Sequence, residues 1–355
     1  MQNPFTTTFS KMPNYSYIPT QKEREIIENF GYDEPSESVY KITGVRGSGK
    51  TVILAKVEQN LLSEEQKNRG WIVYRLSPTR DMLNQLAAFM IRDGYYKDES
   101  KNINVNLSAS VLGNGGGIGF SKTKENKPED IGVQLDEMIK IAVEKNKKIF
   151  VGIDEVSKTP EMIDFATEFG KWLRAGYPVY MVCTGLYENM TQVSNVQNLT
   201  FFRRATNIKT EPLNLVRVSE MYKSKLNIDL DVAKTMAKMT KGYAYAFQEL
   251  GVLAFKNSNK KLESLEDELK SELYAYSYEK IWEELSAEDK ELLKLLIDEE
   301  ENKRADIIDK MGEKAGNYCV YRDRLWQRGL INKRQGYISL SLPYFGEYIK
   351  DYCMM

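Results

Sequence analysis

Near the start of the chain, eight consecutive residues have the types and spacing that bind phosphate groups. Two properties suit them to a nucleotide. The glycines let the backbone curl so that successive N–H groups face an anion. The lysine is expected to face the β- and γ-phosphates, and the threonine hydroxyl to ligate Mg²⁺. Together they match G-x-x-x-x-G-K-[ST], the pattern of a P-loop: Gly44, Val45, Arg46, Gly47, Ser48, Gly49, Lys50 and Thr51.

Two carboxylates at the end of a later apolar run could complete this chemistry. The run Lys148-Ile-Phe-Val-Gly-Ile is followed directly by Asp154 and Glu155. An apolar strand that ends in Asp-Glu downstream of a P-loop has the Walker B pattern. We therefore expect Asp154 to hold the Mg²⁺ shell and Glu155 to polarise the attacking water. The alternative, two solvated acids at a strand end, is disfavoured by the P-loop. Thr184 ends another apolar run, where a polar side chain can contact the γ-phosphate or its water.

The composition of the chain excludes several kinds of catalytic and metal site. The chain has 355 residues, a net charge of −1 and no histidine. Without histidine, Ser-His-Asp and Cys-His catalysis and zinc sites with a His ligand are excluded. A nucleotide hydrolase that positions water with a carboxylate needs no histidine. The near-neutral charge supplies no global basic field for nucleic acid. No apolar run has signal-peptide or membrane-spanning length, so we expect a cytoplasmic protein without a membrane partner.

The elements that must position these residues alternate between strands and helices. Strands are expected at 38–43, 71–77, 148–155, 178–185 and 208–213, with helices between them. This alternation predicts an α/β fold, a parallel sheet with helices on both faces and the ligand at the carboxyl ends of the strands. An insertion at about 98–125 has the pattern of a hairpin with a glycine turn and is expected to be a contact element. Upstream, Tyr17 and Ile18 are candidates for contact with the nucleotide base, or belong to a tail packed on the domain.

The rest of the chain has a mainly helical pattern instead of alternating strands and helices. After a core at 1–213, residues 214–276 have the pattern of a helical lid. Residues 277–355 predict three helices and a two-stranded wing, the order of a winged helix-turn-helix domain. Four cations of this domain are candidate ligands for the phosphates of duplex DNA. The third helix is expected to expose one of them, Arg324. Nearby acidic residues dilute this charge, so DNA binding and protein docking both stay open. The four cations are Arg324, Arg328, Lys333 and Arg334.

The ordered set of motifs resembles prokaryotic AAA+/STAND-type ATPases close to origin-recognition initiators. The resemblance spans nearly the whole chain and implies an ATP- and Mg²⁺-dependent P-loop NTPase with a helical lid and a C-terminal winged helix. It is carried by Asn3-Pro-Phe, the P-loop, Ile153-Asp-Glu155, Thr184-Gly-Leu186, Phe202-Arg-Arg204, Gly242-Tyr-Ala-Tyr-Ala-Phe-Gln248 and the winged-helix pattern.

The resemblance also implies roles for individual residues. Thr184 falls at the sensor-1 position. Arg203 or Arg204 falls where such proteins carry an arginine finger, which a neighbouring subunit of a homo-oligomer would donate. The alternative is that these arginines form surface ion pairs. Tyr245 departs from the pattern, because initiator relatives usually place a sensor-2 arginine there. That departure favours slow turnover or an ATP-gated switch.

The sequence is therefore consistent with two functions. The first is a Mg²⁺-dependent ATPase that acts as a nucleotide-controlled switch or assembly. The second is a DNA-binding regulator in which ATP is an effector with little turnover. A small-molecule kinase is disfavoured, because the Asp-Glu pair suits water activation and no lid motif for a second substrate is visible.

Overall fold

The computed structural model describes residues 2–8, 12–96, 130–257 and 259–354. The hairpin that we predict at about 98–125 lies outside the described residues. Among the helices of the described ranges, none has both the length and the apolar character needed to cross a membrane.

The elements follow one another in the order that the sequence predicts for the core. The strands are β1 (Val39–Thr43), β2 (Trp71–Leu76), β3 (Lys148–Ile153), β4 (Val179–Gly185), β5 (Thr206–Lys209), β6 (Asn302–Lys303), β7 (Ile331–Arg334) and β8 (Tyr337–Leu340). The helices of the first part are α1 (Gln21–Gly31), α2 (Lys50–Leu61), α3 (Glu64–Asn68), α4 (Met82–Arg92), α5 (Ile131–Glu144), α6 (Pro160–Arg174), α7 (Tyr187–Ser194) and α8 (Thr200–Arg204). Those of the second part are α9 (Leu215–Leu226), α10 (Leu230–Met239), α11 (Ala244–Lys256), α12 (Leu262–Leu273), α13 (Glu279–Glu283), α14 (Ala287–Lys294), α15 (Arg304–Met311), α16 (Tyr318–Arg328) and α17 (Phe345–Tyr352).

A five-stranded sheet in the order β2-β3-β4-β1-β5 forms the core. Strand β3 lies parallel to both neighbours, with Ile153 opposite Leu76 on β2 and Cys183 on β4. The predicted parallel α/β fold is confirmed. The predicted bounds of the last strand were wrong, since β5 begins at Thr206 and ends at Lys209. The Thr210 N–H still donates to the Thr43 carbonyl at 2.8 Å, but Pro212 has no N–H to continue the ladder.

The described chain divides into two compact units, of which one comprises residues 25–42 and 54–207. Both faces of its sheet are covered. On one face, Val151 and Ile153 join the apolar side chains of α4, α5 and α6 in a single buried cluster. On the other, the ring of Phe30 lies 5.7 Å from that of Phe150 and 5.5 Å from that of Trp71. Burial on both faces explains why β3 and β4 read as continuous apolar runs.

The second unit comprises residues 1–24, 43–53 and 208–355 and has its own apolar core. Phe5 is buried in it, with its ring 5.7 Å from those of Tyr222 on α9 and Phe247 on α11. A methyl group on Gly251 would lie 2.4 Å from the Phe5 ring, so the glycine makes room for it. Packing against α9 and α11 therefore accounts for the Phe near the start of the chain. Ile18 lies in the same cluster and is buried.

In the described part of the chain after residue 278, the five helices α13 to α17 accompany a small antiparallel sheet in the order β6-β8-β7. The Ser286 hydroxyl caps α14 by accepting the Asp289 N–H at 3.2 Å, as the sequence predicts. Tyr318 and Leu325 of α16 are buried, whereas Tyr321 is half-buried. A π-helical turn at Tyr274–Tyr278 joins the lid helices to this region. Such turns are rare and commonly occur where a helix has a function beyond packing.

Candidate nucleotide-binding site

The predicted P-loop connects β1 to α2. Gly47 and Gly49 have φ angles of +70° and +90°, which residues with a Cβ rarely adopt. Lys50 is the first residue of α2, and its Nζ donates to the carbonyls of Gly44 at 3.1 Å and Val45 at 2.9 Å. The loop therefore has the strand–loop–helix context that the phosphate-binding motif requires, with the helix N-terminus directly after it.

Segments from the C-terminal half of the chain hold the backbone of this loop. The buried hydroxyl of Tyr243 donates to the Arg46 carbonyl at 2.6 Å, and the Tyr245 N–H donates to the Gly47 carbonyl at 3.0 Å. A methyl group on Gly47 would lie 2.5 Å from the Tyr243 hydroxyl oxygen. Burial raises the pKa of Tyr243 well above its usual range, which keeps the hydroxyl protonated as a donor. Tyr245, for which the resemblance implies the sensor-2 position, thus contacts the P-loop through its backbone.

Two further contacts connect the P-loop to the region after the lid. Tyr243 is hydrogen-bonded to the Ser277 hydroxyl at 2.7 Å, and Ser277 belongs to the π-helical turn. The Arg46 side chain donates to one oxygen of Glu284 from Nε at 3.1 Å and from Nη2 at 2.6 Å. Glu284 directly follows α13. The third residue of the P-loop is therefore bound through both its backbone and its side chain.

In the other unit, Asp154 and Glu155 follow β3 as predicted. The buried Thr184 hydroxyl, at the end of β4, donates to Asp154 Oδ1 and accepts the Glu155 N–H at 3.3 Å. Backbone pairing supports the same turn, since the Val156 N–H donates to the Thr184 carbonyl at 2.8 Å. Thr184 thus orients the Asp154 carboxylate directly. From the sequence we predicted that Thr184 can contact the γ-phosphate or its water. Its contact with Asp154 was not predicted.

Glu155 has an unusual backbone conformation. Its φ angle is +55°, in the left-handed region that non-glycine residues seldom occupy. The residue is exposed, so the turn presents its carboxylate to solvent and to any ligand at the strand end. Strain of this kind persists only where surrounding contacts stabilise it, and it is concentrated at functional sites.

An ion pair near Asp154, in which only the glutamate is buried, was not predicted from the sequence. Glu58 on α2 accepts two hydrogen bonds from the Arg75 guanidinium, from Nε at 3.1 Å and more closely from Nη2. Burial raises the pKa of Glu58, as does the charge of Asp154, while Arg75 opposes both. A methyl group on Gly152 would lie 2.2 Å from Glu58 Oε1. A glycine within an apolar strand was the one signal of this close approach.

Arg203 and Arg204 lie at the C-terminal end of α8 and are exposed. The Arg203 Nε donates to the Ser194 carbonyl at 3.2 Å. Beneath them the buried Lys41 of β1 donates to the Phe202 carbonyl at 2.8 Å. Burial lowers the pKa of Lys41. The structure therefore holds the end of α8 against the sheet and leaves both arginines at the surface.

The four cations that are candidate ligands for DNA phosphates have partners within the protein. Arg324 of α16 is half-buried, and its Nε donates to the buried Asp289 carboxylate at 2.9 Å and its Nη2 to the Ser286 hydroxyl at 2.9 Å. Arg328 donates to the Glu284 carbonyl at 3.3 Å. Lys333 pairs with Asp323 at 2.9 Å and Arg334 with Glu301 at 3.0 Å.

Comparison with known proteins agrees with this architecture. A family model described as a domain of unknown function (DUF8462) matches residues 275–349. No curated protein matches the chain. A Walker-type ATPase of Pyrococcus abyssi superposes with a TM-score of 0.65 at 12% identity, over 98% of this chain and 99% of that one. The ORC2 protein of Aeropyrum pernix, solved as ADPNP–ADP complexes, gives 0.57 at 13% identity, over 94% and 95%.

At these identities the comparisons establish the fold alone. The chain has the fold of AAA+ P-loop ATPases of the origin-recognition type, as its motifs predict.

Proposed function

We propose that this protein binds ATP with Mg²⁺ at the P-loop and hydrolyses it slowly, using the bound nucleotide to control its C-terminal region. The observation that carries the proposal is the P-loop itself, with Gly47 and Gly49 at positive φ and Lys50 opening α2. This backbone conformation presents N–H groups to an anion, and the helix N-terminus adds partial positive charge.

The residues available for a metal ion suit Mg²⁺. The Thr51 hydroxyl and the Asp154 carboxylate are hard oxygen donors, and Mg²⁺ commonly takes one or two such protein ligands beside the phosphates. The Thr184 hydroxyl donates to Asp154 Oδ1 and so fixes the orientation of the carboxylate. When bound, Mg²⁺ would neutralise charge that develops on the phosphates.

Glu155 is the proposed water-orienting residue. Its left-handed backbone turns the carboxylate away from the buried strand, and its N–H is held by Thr184 and by Asp154 Oδ1 at 3.1 Å. A carboxylate in this position can accept a proton from a water that attacks the terminal phosphate. Tyr245 brings no cation to the lid contact with the P-loop, which supports slow turnover.

ATP binding is tested by Lys50→Ala, with Lys56→Ala on the same helix as the matched control. Loss of the lysine cation should abolish tight ATP binding measured by calorimetry, whereas the Lys56 variant should bind as the wild type does. Wild-type affinity in Lys50→Ala would refute the proposal. Thr51→Ala should mainly weaken the Mg²⁺-dependent part of binding.

Hydrolysis is tested separately, with Glu155→Gln. The amide keeps the shape of the side chain and loses the basic oxygen, so ATP should stay bound while turnover falls by about 10²–10⁴-fold. Asp154→Asn should in addition shift the Mg²⁺ dependence of turnover. Unchanged phosphate release by Glu155→Gln would remove this residue from catalysis.

We also propose that residues 277–355 form a winged helix that docks on protein rather than on duplex DNA. The ion pairs of Arg324, Lys333 and Arg334 with carboxylates support this choice, because phosphates would have to displace those carboxylates. A salt titration of duplex binding decides the point, since each phosphate contact adds about 0.9 to the log–log slope. Steep salt dependence that falls by roughly two in Lys333→Ala/Arg334→Ala would instead support the DNA-binding regulator.

Self-assembly through Arg203 and Arg204 remains a proposal of the same kind. Both side chains are exposed at the end of α8, as a residue donated to a neighbouring subunit must be. Mixing Arg203→Ala/Arg204→Ala protein with Lys50→Ala protein should restore part of the activity. A monomeric wild type with no restoration would leave these arginines a structural function only.

A further inference from the structure

Arg46 has two partners of different character. Its backbone carbonyl is fixed from the interior, by the buried Tyr243 hydroxyl that also contacts Ser277. Its guanidinium is at the surface, where the Arg46 and Glu284 side chains keep 44% and 39% of their exposure. The backbone is therefore held in place while the side chain can exchange its partner.

The contact between Arg46 and Glu284 involves only part of the hydrogen-bonding capacity of the guanidinium. Both donating nitrogens, Nε and Nη2, contact the same oxygen, Oε1. A guanidinium has five N–H donors in a planar fork that matches two oxygens of a phosphate. Exposed ion pairs contribute little in water, whereas arginine–phosphate hydrogen bonds are short and strong. A phosphate close to this loop is thus a better partner for Arg46 than Glu284 is.

We propose that Arg46 is a phosphate ligand of the nucleotide site and that Glu284 competes with the phosphate for it. This inference rests on the proposed function and adds a residue-level connection to the C-terminal region. Glu284 follows α13, which itself follows the π-helical turn containing Ser277. When Arg46 turns to the nucleotide, α13 loses its ionic contact with the P-loop, while the Tyr243–Ser277 contact is retained.

Thermodynamic linkage gives this competition a measurable consequence. If nucleotide binding breaks the Arg46–Glu284 pair, then removing the carboxylate must strengthen nucleotide binding by the same factor that the pair weakens it. The effect must also require Arg46. A carboxylate that acted only through its general negative charge would repel the nucleotide whether or not Arg46 were present.

Calorimetry of ATP binding in the Glu155→Gln background, where turnover is suppressed, tests the inference. Glu284→Gln should bind ATP about two- to five-fold more tightly than its parent, the range that exposed pairs span. The matched control is Glu283→Gln, whose carboxylate lies on α13 but pairs with Lys280 at 2.8 Å. It should bind as the parent does. Arg46→Ala should bind ATP more weakly, and Glu284→Gln should then have no further effect.

Hydrogen exchange supplies a readout that does not depend on affinity. ATP should speed amide exchange in residues 279–284 of the parent, and this change should be absent from Arg46→Ala. Equal affinities of the Glu284 and Glu283 variants, or a Glu284 effect that persists without Arg46, would overturn the inference while leaving ATP binding intact. If the parent binds no ATP at all, the proposed function fails first, and Lys50→Ala would then be indistinguishable from it.

Discussion

The P-loop and the acidic end of β3 obtain their conformations in different ways. The P-loop is built from glycines and is held by residues about two hundred positions later, Tyr243 and Tyr245. The acidic end is set by neighbouring strands, because Thr184 on β4 contacts Asp154 and the Glu155 N–H directly. The first depends on contacts with residues at the start of α11, and the second on the register of a buried sheet. The P-loop should therefore respond to changes in the C-terminal region, while the acidic end should respond to changes in the sheet.

Gly47→Ala should give the largest effect on the P-loop side. The new methyl would lie 2.5 Å from the Tyr243 hydroxyl oxygen and 2.8 Å from Tyr245 Cβ, on a residue with φ of +70°. Backbone strain and overpacking together should lower the free energy of unfolding by about 2–4 kcal/mol. ATP binding should be lost with it, as measured by denaturant unfolding and calorimetry.

The control for this variant is Gly176→Ala. Gly176 also has a positive φ, +76°, but nothing lies within 4 Å of an added methyl. It should therefore show the strain alone, near 1 kcal/mol, and retain ATP binding. Equal destabilisation in both variants would mean that the lid contact contributes nothing to the loop.

Gly152→Ala should give the largest effect on the sheet side. The methyl would lie 2.2 Å from Glu58 Oε1 and 3.3 Å from Leu54 Cδ1, which should cost about 1–3 kcal/mol of unfolding free energy. Adding Glu58→Ala should recover part of this loss, because the two sites share one contact. Strictly additive effects in denaturant unfolding would contradict the close approach of Glu58 to β3.

Thr184→Val tests how the sheet positions Asp154. Valine keeps the shape of threonine and loses both the donor to Asp154 and the acceptor for the Glu155 N–H, which should cost about 1–2 kcal/mol. Turnover should fall about ten-fold, with a higher Mg²⁺ requirement. Thr184→Ser should restore both, because it keeps the hydroxyl. If Thr184→Val and Thr184→Ser had equal activity, the Thr184 hydroxyl would not be needed, and the side chain would serve packing only.

Lys209 should give the smallest effect, and that effect should depend on pH. Its Nζ lies 4.2 Å from the centre of the Trp326 ring, with Lys333 Nζ 3.9 Å from the same centre. Burial, followed by the charge of Lys333, lowers the pKa of Lys209 to about 8, and Glu211 opposes this. Between about 8 and the unfolded value near 10.4 the unfolded chain binds the proton more strongly, so stability should rise with pH across that window.

Solvent screening limits the size of this effect to about 1 kcal/mol, because Lys209 is only partly buried. The measurement is the difference in unfolding free energy between wild type and Lys209→Met at pH 7.5 and pH 9.5. Lys333→Met should shrink the rise by removing the neighbouring charge. A wild type that loses stability relative to Lys209→Met over this interval would show that the lysine is held in its charged form.

Much of the fold was predictable because its signals are local. The strand–loop–helix around Lys50, the apolar run before Asp154 and the Ser286 cap each lie within a few residues, so backbone preference and hydrophobic pattern determine them. The parallel sheet followed from alternation of strands and helices. The end of β5 was misplaced, because Thr210 leaves the sheet ladder after one hydrogen bond and donates from its hydroxyl to Ser48 at 2.9 Å.

The sequence by itself determined the chemistry that this chain can offer: a phosphate-binding loop, an Asp-Glu pair and no histidine. Tertiary structure alone decided which partners those groups have. Glu284 and Tyr243 reach Arg46 from remote segments, Glu58 approaches β3 through Gly152, and Arg324 turns inward to Asp289. Helical periodicity gives the face of a side chain but not the charge that packs against it. A buried carboxylate such as Asp289 attracts the nearest guanidinium, because an unpaired buried charge is costly.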